Sequence, residues 1–250
     1  LGNNLRLIAN EKAGIIKDKT PLITVNQNKK VIKVLQETSL KKNTECIISE
    51  LPVNIILNPN FTIFNFENKT FKTSLLGTHQ AENASLAITI IRRFNSDIGD
   101  HIIYKGLEKV LWPGRMQCLR DKVYFDVAHN SNGVETTLEN IRNLFPKSNI
   151  YGLFCLKQTK NLESISEVIN GKFKQLYTIS DNKLLIKSID LSQKLKSFGI
   201  ESRSVESVSI GLDSINNLAD KNGVILIFGS HYIAKEVFEE FETSFNSGVI

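Results

Sequence analysis

Cysteine, proline and tryptophan are all scarce in this sequence, and long apolar runs are missing. The three cysteines, Cys46, Cys118 and Cys155, lie far apart with no Cys-x-x-Cys pair, which argues against a zinc site. An odd number of cysteines without a secretory signal suits a reducing cytoplasm. No stretch approaches the roughly 20 apolar residues that a membrane-spanning helix needs. The charged head, apolar run and small-residue cleavage site of a signal peptide are also absent. A clustered basic stripe is missing too. The net charge of +5 is spread along the chain, with Lys29-Lys30, Lys41-Lys42 and Arg92-Arg93 the tight pairs in the first half. That pattern reads as a solvated surface with some attraction for anionic substrates rather than a nucleic-acid binder. Neither internal repeats nor low-complexity tracts occur. A phosphate-binding loop, glycine-rich and closed by lysine and Ser/Thr, is absent from the 250 residues as well.

What remains is an ordinary globular composition, 41% hydrophobic and 23% charged, long enough for one large domain or two modest ones. Residues 4–13 read as a helix, with Leu5, Ile8 and Lys12 on one face and Gly14 as a stop. A strand over 22–25, a helix carrying Val31, Val34, Leu35 and Thr38, and a strand over 44–48 follow. Residues 61–66 and 70–75 alternate in polarity around a turn, which predicts a hairpin. Helices are expected over 81–94 and 98–111, ending where Pro113 breaks the pattern. A domain boundary is placed there, giving domains 1–113 and 114–250. Beyond it the rhythm changes. Apolar strands over 123–128, 150–156, 175–179 and 224–228, with a weak one at 203–205, alternate with helices. One helix carries Val134, Leu138, Ile141 and Phe145; the rest span 162–173, 191–198, 209–219 and 232–241. This predicts an α/β fold with a mostly parallel sheet covered on both faces.

Four segments carry candidate chemistry. In Ile8–Ile15, Lys12 shares its face with Leu5 and Ile8. A lysine desolvated there would favour its neutral amine, which reacts with carbon dioxide to give a carbamate, an oxygen ligand for Mg²⁺. The alternative is a lysine that snorkels to water. In Leu76–Ala84, His79 and Asn83 share a helix face and Thr78 is a candidate cap; the alternative is a solvated first turn. In Pro113-Gly114-Arg115, arginine offers a planar fork for phosphate oxygens; the alternative is a surface arginine. In Phe125-Asp126-Val127-Ala128-His129-Asn130, Asp126 closes an apolar strand where ligands of open α/β sheets collect, so it is placed to bond ribose hydroxyls. His129 and Asn130 sit before a helix N-terminus. A buried, backbone-bonded Asp126 is the alternative.

The runs Ile8-Ala9-Asn10-Glu11-Lys12-Ala13-Gly14-Ile15, Gly77-Thr78-His79-Gln80-Ala81-Glu82-Asn83-Ala84 and Asp126-Val127-Ala128-His129-Asn130 resemble the folylpolyglutamate synthase/dihydrofolate synthase family of the Mur ligase superfamily. The third run belongs to the wider superfamily; the first points to the folate branch. The resemblance implies the remainder of a Mur-ligase-type central ATPase domain followed by a Rossmann-like C-terminal domain, which close over the substrates with Pro113–Arg115 as hinge. It implies an ATP-dependent ligase that activates a folate or dihydropteroate carboxylate as an acyl phosphate and joins it to L-glutamate. ATP and Mg²⁺ would be its cofactors, Asn83, Arg115 and Asp126 its nucleotide contacts, and Lys12, Arg115 and His129 its catalytic residues, Lys12 holding metal through the carbamate. It further implies a cytoplasmic monomer. Leu1-Gly2 matches a Leu-Gly that follows a metal-binding histidine in the family, so the expectation is a C-terminal piece, inactive alone without the phosphate loop. Two features depart from the family. Thr159-Lys160-Asn161 stands where an Asp-Lys-Asp triplet is usual, and a proline-arginine pair is not evident around residues 181–187. Another Mur-type amino-acid ligase and a non-catalytic nucleotide-binding module are the rival readings.

Overall fold

The computed structural model describes residues 4–180 and 182–243. The chain divides into two compact units. The first comprises Leu1–Ile56, Ile63–Thr73 and His79–Glu108, and the second Leu57–Thr62, Ser74–Thr78 and Lys109–Ile250.

The first unit opens with α1 (Leu5–Ala13), β1 (Leu22–Thr24), α2 (Lys29–Lys41) and β2 (Cys46–Ile48). Asn4 caps α1, its side chain accepting the Arg6 N–H at 2.8 Å. The two short strands pair in parallel, Leu22 opposite Cys46. Helix α1 turns a different face inward from the one its apolar spacing suggests. Ala9 and Ala13 are buried with Ile16, Val34 and Leu35, while Leu5 and Leu7 are 52% and 58% exposed. Small alanines let α1 approach α2 closely. Three large apolar residues in a nine-residue helix are too few to fix its phase.

Strands β3 (Val53–Asn58), β4 (Phe61–Phe66) and β5 (Lys69–Thr73) form a sheet in that order. The β4–β5 loop is Glu67-Asn68, both left-handed, as a two-residue hairpin turn requires. Alternation along β4 buries Phe64 and Phe66. With Phe71 they pack on Ala81, Ala84 and Ile88 of α3 (Thr78–Phe94) and Ile103 of α4 (Asp100–Lys109). Phe64 and Phe71 stack with ring centroids 5.7 Å apart. Strand β3 has no counterpart among the expected elements. Three of its six residues are exposed and none is buried, and Asn54 and Asn58 blur its apolar pattern.

The second unit carries β6 (Gln117–Arg120), β7 (Val123–Asp126), α5 (Ser131–Leu144), β8 (Ile150–Phe154), α6 (Leu162–Ile169), β9 (Gln175–Thr178), α7 (Ser188–Ser197), β10 (Arg203–Ser204), α8 (Val208–Asn216), β11 (Val224–Phe228) and α9 (Ala234–Glu240). The sheet order is β10-β9-β8-β11-β7-β6. All neighbours are parallel except β6, which runs antiparallel to β7. This is the α/β architecture with a mostly parallel sheet that the sequence pattern predicts. Every residue of β7, β8 and β11 is buried, as for strands covered on both faces. One covering layer includes Val134, Leu138 and Ile141 of α5; the other includes Val208, Leu212, Val237 and Phe238. The antiparallel edge strand β6 escapes the sequence pattern because Gln-Cys-Leu-Arg has neither an apolar run nor alternation.

Register aligns the working end of this sheet. Phe228 at the end of β11 lies opposite Asp126 of β7 on one side and Phe154 of β8 on the other. The carboxyl ends of three central strands therefore finish level, where ligands of open parallel sheets collect.

Candidate functional site

Asp126 ends β7 and is only 4% exposed. Its two carboxylate oxygens are divided between two backbone donors. Oδ1 accepts from Ala128 N–H at 2.7 Å and Oδ2 from Met116 N–H at 2.8 Å. Burial pushes this carboxyl up to about 6. The Ala128 and Met116 N–H groups, the Arg115 charge and the Thr137 hydroxyl oppose that rise.

Arg115 is exposed at the tip of a turn whose flanks are fixed. Gly114 and Met116 are both left-handed, with φ of 71° and 44°. Gly114 C=O accepts from Val127 N–H at 2.8 Å, and Gly114 N–H donates to Gln117 Oε1 at 3.0 Å. A Cβ at position 114 would sit 2.7 Å from Val127 Cγ1, so glycine lets the turn lie against β7. Pro113–Arg115 is thus tied within the second unit, whose main stretch begins at Lys109. Beside the turn, a cavity of about 180 Å³ is lined by Asn60, Trp112, Arg115, Gln117 and Cys118 among others. A larger open hollow of about 590 Å³ on α5 and α6, lined by Glu135, Glu139, Arg142 and Glu167, contains none of the expected site residues.

His129 is half-buried, and its Nδ1 lies 3.0 Å from Val127 O. A carbonyl can only accept, so Nδ1 carries the proton, which leaves Nε2 as the ring nitrogen that can accept in the neutral tautomer. Asn130 caps α5, Oδ1 accepting the Gly133 N–H at 2.8 Å. Replacing it with alanine is expected to cost about 1 kcal/mol of stability, read from urea unfolding. A loss below a few tenths would mean the cap contributes nothing.

The structure therefore brings Arg115, Asp126 and His129 together around one strand end. Lys12 and Asn83 belong to the first unit. Lys12 is exposed, which corrects the expectation of a desolvated amine: the buried side of α1 is Ala9 and Ala13, not Leu5, Ile8 and Lys12. Asn83 is exposed on α3, donating to Gln80 Oε1 at 3.2 Å. Thr78 is the first residue of α3 rather than its cap, and its N–H donates to Asn140 Oδ1 at 3.2 Å. In the Thr159-Lys160-Asn161 segment, Asn161 caps α6 by accepting from Ser164 N–H at 3.2 Å. Leu1, Gly2 and Asp181 lie outside the described residues.

Sequence reasoning missed several groups here. Ser230, 3% exposed, follows β11 and accepts from Tyr232 N–H at 3.3 Å. Lys157 stands 5.6 Å from the Tyr232 ring centre. Gly229-Ser230 directly after a wholly apolar strand was the available signal. Thr137 and Asn140 are buried on α5 between its apolar positions, and nothing in their spacing announces a polar role. Among the described residues, no group of three or more His, Cys, Asp or Glu is placed to hold a metal ion, and no helix is long and apolar enough to cross a membrane.

Residues 114–231 match the family described as Mur ligase, glutamate ligase domain. Across 259 aligned residues, the chain is 30% identical to the dihydrofolate synthase/folylpolyglutamate synthase of Bacillus subtilis, an alignment covering 95% of this chain and 58% of that protein. Among solved structures it is similar to the folylpolyglutamate synthase of Mycobacterium tuberculosis complexed with ADP and AMPPCP (TM-score 0.88, 22% identity, 98% of this chain and 61% of that one). It is also similar to Escherichia coli FolC in complex with DHPP and ADP (TM-score 0.78, 20% identity, 97% and 58%). At these identities the two structures speak for the fold. Residues 114–231 thus carry a Mur ligase glutamate ligase domain, and the chain as a whole is similar to folylpolyglutamate synthases and dihydrofolate synthases. It spans somewhat under two thirds of the length of these three relatives.

Proposed function

We propose that this chain supplies part of an ATP-dependent ligase that joins L-glutamate to the carboxylate of dihydropteroate or a folate. The observation that carries this reading is the Arg115–Asp126–His129 constellation at the end of β7, in a chain 30% identical to the Bacillus subtilis enzyme. Phosphoryl transfer to a carboxylate, giving the acyl phosphate that the glutamate amine attacks, depends on positioning and charge neutralisation. An exposed arginine on a fixed turn serves both ends: its fork of donors offsets phosphate charge. His129, its Nδ1–H held by Val127, offers Nε2 as an acceptor to a nucleotide hydroxyl. Asp126 belongs with them in the proposed nucleotide-binding set; for Asn83, in the first unit, a nucleotide contact is proposed on the resemblance of its segment alone.

Mg²⁺ bound to the nucleotide would supply further charge neutralisation. No ready-made three-ligand group stands among the described residues, so the ion would rest mainly on phosphates and water; for Lys12, in the first unit, a metal-holding carbamate is a separate proposal. Support for Lys12 is the resemblance of its segment, not its burial. We place the protein in the cytoplasm, as a monomer, on its cysteine usage and family.

Titration calorimetry of the purified chain with ATP tests the reading. Binding is expected, weakened about tenfold or more in Arg115→Ala, the loss of a charge-assisted contact. Absence of ATP binding, or an Arg115→Ala variant that binds equally well, would count against it.

A further inference from the structure

Gln80 stands where a core residue is expected. Helix α3 buries Gln80, Ala81, Ala84, Ser85 and Ile88, and at the head of that stripe Gln80 is only 6% exposed. Burying a carboxamide is costly unless it is hydrogen-bonded. Its Oε1 accepts from Asn83 Nδ2 at 3.2 Å, about one turn further along the helix. The partners differ in setting. Gln80 is enclosed, while Asn83 is exposed and open to a ligand. A bond of this kind settles which way the asparagine amide lies. Nδ2 gives one of its two N–H groups to Gln80, and the other N–H remains with Oδ1 for the exposed edge. Turned over, Asn83 would set Oδ1 against Gln80 Oε1, two acceptors with no proton between them.

An amide edge with one acceptor and one donor side by side is the complement of adenine, whose N6 amine donates and whose N7 accepts. Guanine carries an acceptor, O6, in place of the amine, and meets the Oδ1 side of that edge with a like group. The orientation of the Asn83 amide is therefore a base-selective feature, and a buried residue sets it. We propose that Gln80 is a positioning residue for base selection: it holds Asn83 with Oδ1 outward, so that Asn83 takes adenine in preference to guanine. The proposal rests on the reading that Asn83 contacts the nucleotide. A side chain already held also gives up less rotational freedom when the base binds.

The test titrates the purified chain and its Gln80→Met and Gln80→Glu variants with ATP and GTP. Methionine keeps the length of the side chain but offers Asn83 no oxygen, which frees the amide to turn; glutamate keeps an acceptor. Gln80→Met is expected to lower the ratio of ATP to GTP affinity about tenfold, chiefly through ATP, and Gln80→Glu to retain it. A purely structural glutamine would weaken both nucleotides alike, and an unchanged ratio overturns the proposal. So does a parent chain that binds ATP and GTP equally well. Nuclear magnetic resonance of the Asn83 side-chain amide gives a second measurement that needs no ligand. One of its protons should resist exchange in the parent and lose that protection in Gln80→Met. If that variant fails to fold, the parent spectrum decides, since two freely exchanging protons would mean that Gln80 holds nothing. A parent that binds neither nucleotide removes the reading of Asn83 and the proposal together, whereas ATP binding with an unchanged ratio removes the proposal alone.

Discussion

Gly229→Ala is expected to destabilise the protein by about 4 kcal/mol or more, enough to leave much of it unfolded. Gly229 follows the last residue of β11 with φ of 111°, a conformation that side chains rarely adopt. Strain alone would cost ~1–3 kcal/mol. The close approach is worse. A Cβ at this position would lie 1.8 Å from the Cys155 carbonyl oxygen and 2.8 Å from Phe154 Cε2. That carbonyl cannot step aside cheaply, because Cys155 N–H is bonded to Phe228 C=O at 3.0 Å and continues the pairing of β8 with β11. Relief requires the two central strands to part, which also disturbs the stacked rings of Phe154 and Phe228, 4.7 Å apart. Gly199 is the natural comparison. It too has positive φ, at 78°, but a Cβ there meets nothing within 4 Å, so Gly199→Ala should cost only about 1 kcal/mol. Urea unfolding of both variants checks the contrast; equal losses would show that the approach to Cys155 does not govern the strand end.

Much of the second unit is legible in the amino-acid sequence, for a simple reason. Strands buried on both faces must be apolar at every position, and Val224–Phe228 is five such residues in a row. Helix α5 shows Val134, Leu138 and Ile141 at helical spacing, and all three are buried. Where a face is covered by small residues the signal fails. Helix α1 hides Ala9 and Ala13 and exposes Leu5, so the lysine expected to be shielded stands in solvent. Edge strands such as β6 escape because a half-covered strand of four residues has room for Gln and Arg. The site shows the same division. Asp126 and His129 stand out because an acid and a histidine interrupt or follow an apolar strand. The bond from Met116 to Asp126 does not, since it depends on two left-handed residues that bring residue 116 beside a strand end ten residues later. Interleaving is equally hidden. Leu57–Thr62 and Ser74–Thr78 join the second unit through long-range contacts such as Gly77 N–H to Thr62 Oγ1 and Tyr124 OH to Pro59 C=O. No local pattern encodes those.

Acidification from pH 7.5 to pH 4 should favour the parent over Asp126→Asn by up to ~3 kcal/mol in folding stability. Burial raises the Asp126 carboxyl from 3.8 to about 6 in the folded chain. For a raised carboxyl the sign is opposite to that of a salt-bridged one. Its contribution is fully present below the unfolded value of 3.8 and is lost as pH climbs through about 6, where folding must carry a buried charge. A gap of about two pH units corresponds to ~3 kcal/mol, at ~1.4 kcal/mol per unit. Asparagine does not titrate. Its single carbonyl oxygen satisfies only one of the Ala128 and Met116 donors and turns an NH₂ towards the other, a penalty that is the same at every pH. Other groups protonate in both proteins, so the difference between their urea-unfolding free energies isolates residue 126. That difference should be nearly flat above about pH 7, rise between about pH 6 and 4, and level off below. A flat difference throughout would mean that the strand-end carboxylate is held by its two N–H donors strongly enough to cancel its burial. A fall on acidification would mean that they outweigh it, and that Asp126 is charged at no cost where it grips the arginine turn.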